Sequence, residues 1–158
     1  MATFIDFPVP DGAELVCVAT GYLNTKDKEV FLDLLKTSDN PLVTIDGKTI
    51  RINAPCRMMF HGVVNYFKNS GTCSNVRIGA DILHYIDGES YRSGTGVIRI
   101  TGADQTGYAK DTGLYVCKGY DEADFLSAGD IIYPEAYLEK TDNALVTNFI
   151  YVSNFKYI

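Results

Sequence analysis

The chain has 158 residues, 46% of them apolar, and a formal net charge of −6. That size and apolar share suit one domain able to bury about two-thirds of its unfolded surface, which excludes a disordered chain. The acidic balance, with no run of Lys or Arg, argues against a nucleic-acid partner, because phosphate binding depends on clustered cations.

Residues 1–13 read as an extended N-terminal arm. Pro8 and Pro10 cannot donate ladder hydrogen bonds, so Phe4, Ile5, Phe7 and Val9 lie on a poor interior strand. The arm is expected either to dock on a neighbouring protein or to cover an edge of its own domain. It has no basic start followed by an apolar segment, so it does not read as a signal peptide. No apolar run is long enough to span a bilayer.

From residue 14 to 158 short strand-like runs alternate with turn signals, as in an all-β sandwich or barrel. The runs are 14–22, 30–35, 42–45, 48–53, 57–67, 75–86, 96–101, 114–120, 130–139 and 144–158. Residues 26–36 fit a helix or a strand, since Val30, Leu34 and Leu35 are roughly helix-spaced. Turns are expected at Asp11-Gly12, Asp46-Gly47, Asn69-Ser70-Gly71 and Asp87-Gly88. Asp46-Gly47 between alternating runs is the strongest hairpin signal of the chain.

The strands are of two kinds. Ile50/Ile52, Ile98/Ile100 and Val76/Ile78/Ala80/Ile82 alternate with mostly polar residues, burying one face and wetting the other. The runs 14–22, 57–67, 114–120 and 144–158 are apolar on both faces. With no helical layer expected, their second face calls for another subunit.

The run from Gly47 through Ile50, Ile52, Ala54-Pro55 and Cys56 to Phe60 resembles the hairpin of tumour-necrosis-factor and complement-type globular heads. Leu126-Ser127-Ala128-Gly129-Asp130-Ile131-Ile132 is similar to that family's entry into its penultimate strand, and Ser153 to Ile158 to its closing strand. Cys56 and Met58 stand where the family has Gly and Tyr. The resemblance implies an all-β, ten-stranded antiparallel jelly-roll sandwich that forms a homotrimer around its inner sheet. That sheet corresponds to the four runs apolar on both faces. The trimer interface is then expected at Met59, His61, Val63, Tyr115, Phe149, Tyr151, Phe155 and Tyr157.

No motif points to catalysis, a cofactor or a metal. His61 and His84 are the only histidines and read as packed side chains. Cys17, Cys56, Cys73 and Cys117 are scattered, without a C-x-x-C pair, and read as reduced. Asp121, Glu122 and Asp124 lack the ligand spacing of a calcium loop. Loops rich in Tyr, Ser and Gly suit recognition, with Tyr91 and Arg92 in one and Asp104, Gln105, Tyr108 and Lys110 in another. If strands alternate in direction, those two loops sit at opposite ends of the sandwich.

With the chain starting almost directly on the domain, the expectation is a non-enzymatic virion structural protein: a capsid-decoration, spike or fibre-head module of a virus or phage. Its partners would be its own copies, neighbouring virion proteins and a cell-surface glycan or protein. The alternative is a bacterial carbohydrate-binding or adhesin-like lectin domain.

Overall fold

The computed structural model describes residues 12–24, 29–67, 75–86, 89–94, 98–101, 109–116, 126–138 and 143–153. They form twelve strands and no helix. In chain order these are β1 (Glu14–Leu23), β2 (Glu29–Phe31), β3 (Asp33–Lys36), β4 (Val43–Asp46), β5 (Thr49–Ile52) and β6 (Arg57–Phe67). The rest are β7 (Asn75–Ile86), β8 (Glu89–Gly94), β9 (Ile98–Thr101), β10 (Ala109–Val116), β11 (Ile131–Leu138) and β12 (Asn143–Ser153).

All pairings are antiparallel and make two sheets. The first is five-stranded in the order β10-β6-β12-β1-β3. It unites the four strands whose sequences are apolar on both faces, as expected, and adds β3 at one edge. The second has seven strands along β4-β5-β11-β7-β8, with β2 following β5 along β11 and β9 following β8 along β7.

The core lies between the sheets. Phe60, Met58, Leu23, Ile50, Ile52, Ile78, Ile82 and Ile132 are among its largest fully buried side chains. Even-numbered residues of β6 and β12 face it, and so do odd-numbered residues of β1 from Cys17 onward. A bulge between Leu15 and Cys17 puts Val16 and Cys17 against the core together.

The hairpin β4–β5 turns one residue later than the Asp-Gly signal suggests. Asp46 pairs with Thr49, so Gly47 and Lys48 form the loop. Gly47 has φ of 61°, as the first central position of a two-residue hairpin turn of type I′ or II′ requires. Beyond β5, the corner around Cys56 meets the Leu126–Asp130 motif. Cys56 and Leu126 exchange backbone bonds of 3.2 and 2.8 Å, and Gly129, with φ of 94°, donates to the Ile52 carbonyl at 2.8 Å. Buried Asp130 accepts the Ser127 N–H at 2.8 Å and returns its own N–H to the Ser127 carbonyl at 3.0 Å. Two of the three motifs that carry the resemblance are thus one unit in space.

Three expectations are settled or corrected. First, of the two readings of 26–36, residues 29–36 take the strand and not the helix: the chain leaves the second sheet as β2 and enters the first as β3. Fully buried Leu32 marks the crossing, its N–H donating to the Pro134 carbonyl at 2.9 Å. A Cβ on Gly21 would stand 2.6 Å from Leu32 Cδ2, so β1 passes the crossing where it has no side chain. Val30 and Leu34 pack on the core from different sheets while Leu35 points away, which mimics helical spacing. Second, residues 89–94, expected as a loop, form β8, paired antiparallel with Asp81 to Ile86 of β7. Third, the strand expected at 114–120 is β10, which starts at Ala109. The 11-residue β6 extends far enough to pair Ala109 with Asn65.

Candidate functional site

Cross-strand partners project to the same face, so register maps the outward face of the first sheet. One row runs Leu35, Val18, Phe149, His61 across β3, β1, β12 and β6. The next runs Leu15, Tyr151, Met59, and reaches Tyr115 at its register position on β10. On the other side of the first row lie Thr20, Thr147 and Val63, then Tyr22 and Leu145. Met59, His61, Val63, Phe149 and Tyr151, expected at a trimer interface, thus share one face, opposite the core. The structure also resolves the parity: odd-numbered residues of β6 and β12 point outward.

That face is only partly open in a single chain. Met59, His61, Val63 and Tyr151 are already buried, and the His61 ring stacks on Phe149 with centroids 5.9 Å apart. Among the described side chains, the exposed large apolar ones on it are Leu35 at 70%, Tyr22 at 51% and Leu145 at 36%. Phe155 and Tyr157 lie outside the described residues, as do the arm residues Phe4, Ile5, Phe7 and Val9.

The outward face of the second sheet has a different chemistry. Along β11, Tyr133, Glu135 and Tyr137 are half-buried, and Asp81, Gly79 and Arg77 of β7 lie opposite them in that order. The Arg77 guanidinium sits 4.4 Å over the Tyr137 ring, and Phe31 packs on Tyr133 with centroids 6.0 Å apart. Carboxylate oxygens of Glu29, Asp81 and Glu135 approach within 4.8 Å of one another. Sequence reading missed this cluster, although the alternation of Tyr133, Glu135 and Tyr137 was its signal.

The candidate recognition residues do not converge. Tyr91 and Arg92 are strand residues of β8, opposite His84 and Leu83 near the end of β7. Lys110 is in β10 opposite Val64, and the strand ends flanking 102–108 lie at the start of β7 and the end of β6. Asp104, Gln105 and Tyr108 are outside the described residues. A shallow polar groove of about 500 Å³ beside β4 is lined by groups that already bond one another, including Asn53 to Thr44 at 2.9 Å and Lys36 to Asp39 at 2.7 Å.

Cys17 and Cys56 are buried free thiols, as read from the sequence; Cys73 and Cys117 lie outside the described residues. Burial pushes the Cys17 thiol up to about 12, and burial with the Asp130 charge pushes Cys56 up to about 11. Burial raises Tyr151 as well. In each case the unfolded chain deprotonates first, so stability is complete below an ordinary thiol value of 9.0 and falls as pH rises towards the folded values. Melting temperature is therefore expected to drop between pH 9 and 11, and Cys17→Ala to make the drop shallower. At pH 8 neither buried thiol should react with an alkylating reagent until the protein is unfolded.

No family model and no curated protein matches the sequence. Solved structures do. Murine APRIL at pH 5.0 superposes with a TM-score of 0.51 and 10% identity over 87% of this chain and 98% of that one. The Eiger TNF of S. frugiperda gives a TM-score of 0.46 and 11% identity over 92% and 96%. Together with the two antiparallel sheets and the grouping of β1, β6, β10 and β12, the first of these likenesses identifies the fold as a jelly roll of the tumour-necrosis-factor type.

Proposed function

We propose that the chain is a non-enzymatic, self-assembling structural module in which three copies meet through the outward face of the first sheet. The observation that carries this reading is the apolar character of that face, where Leu35, Tyr22 and Leu145 stay exposed around buried Met59, Val63 and Tyr151. Obligate interfaces resemble a divided core. Three copies is the number that the resemblance to tumour-necrosis-factor heads implies.

We place this module in a virion, as a decoration, spike or fibre-head element, with Phe4, Ile5, Phe7 and Val9 of the arm docking on a neighbouring particle protein. Support comes from the sequence expectation that this fold type serves in such modules. The genes beside its own test the role: capsid and portal genes are expected, and polysaccharide-processing genes would overturn it.

A lectin is the second reading. The aromatic rings of Phe31, Tyr133 and Tyr137 beside Glu135, Asp81 and Arg77 support it, since sugars bind to ring faces and to charged hydrogen-bonding groups. A glycan array probes it directly. Binding that Tyr133→Ala abolishes would establish the lectin reading, and an array without signal would remove it.

A further inference from the structure

Asn148 stands in the middle of β12 on the core-facing parity, between Val146 and Ile150, and is fully buried. Neither its Oδ1 nor its Nδ2 has a hydrogen-bond partner among the described residues. A side-chain amide offers two donors and an acceptor with two lone pairs. Sealing all of them in a core with nothing to bind is costly, and buried polar groups in folded proteins are met by protein or by ordered water.

Its surroundings point to water. Register flanks Asn148 with Ala19 on β1 and Gly62 on β6, two of the smallest residues in the sheet. The core face of the opposite sheet presents Ile78, Ala80, Ile132 and Ala136 among the described residues, none with a polar side chain. Neither flanking residue nor any of these core residues has a polar side chain to offer the amide.

We infer that Asn148 is the anchor of an internal water site between the two sheets, one molecule accepting from Nδ2 and another donating to Oδ1. Internal waters of this kind are part of a fold, since removing them strands the polar groups they satisfy.

Two measurements on the full chain test the inference. In the wild-type protein, ordered water within hydrogen-bond distance of the Asn148 amide is expected in a high-resolution crystal structure, together with water-to-side-chain Overhauser signals in solution. A well-ordered Asn148 in the core with no such water overturns it. The second measurement is the melting temperature of Asn148→Leu. An amide already satisfied by water gains nothing from replacement, so no rise is expected. For a chain of this size, a rise above about 4 °C would show instead that the native amide is an orphan. If Asn148→Leu fails to fold, the wild-type water measurement alone decides.

Discussion

Replacing Phe60 with alanine is expected to remove about 3–5 kcal/mol of stability, the usual loss when a large aromatic side chain is cut from a core. Phe60 is fully buried and is among the largest side chains between the sheets. It lies on β6, which is hydrogen-bonded on both sides, pairing Phe60 with Ile150 of β12 and Leu114 of β10. A strand held on both edges cannot move inward to fill the space left behind. Total stabilities of single domains run to about 5–15 kcal/mol, so this loss takes a large share. Denaturant unfolding of both proteins at one fixed concentration measures it, because assembly makes stability concentration-dependent. A loss under about 1 kcal/mol would mean that β6 does not form the middle of the core.

The second large effect concerns assembly. Leu35→Glu and Leu145→Glu, made separately, are each expected to turn the proposed trimer into folded monomers. In a single chain these side chains are 70% and 36% exposed, so a carboxylate there meets water and changes stability by only about 0.5 kcal/mol. Covered by a neighbouring copy, the same carboxylate becomes a buried unpaired charge repeated at every interface, at a cost of several kcal/mol. Phe31→Glu is the control: Phe31 is also 36% exposed but pairs with Glu135 on the second sheet, so its replacement leaves assembly intact. Sedimentation velocity separates the cases. Loss of assembly in Phe31→Glu with none in the other two would move the interface to the opposite sheet.

Much of this architecture was legible in residue order because bulk and turn chemistry agreed. Asp46-Gly47 between alternating runs marked a real hairpin, and strands apolar on both parities proved to be sheet neighbours. What escaped was decided by partners rather than by local pattern. Glu89–Gly94 is too polar to read as a strand, yet it pairs along β7. Val30, Leu34 and Leu35 mimic a helix because the chain changes sheets at Leu32. Which parity of β6 and β12 faces outward was illegible for the opposite reason. Met58 and Met59, or Ile150 and Tyr151, are equally apolar, and polar Asn148 turned out to face the core. The exposed large apolar residues described on the outward face, Leu35, Tyr22 and Leu145, come from three separate strands, so only register could unite them.

The most direct test of the central claim is the mass of the purified protein in solution. Multi-angle light scattering at micromolar concentration is expected to give three times the chain mass of 17.4 kDa, with no change on modest dilution. A single species at 17.4 kDa under the same conditions would contradict assembly through the first sheet.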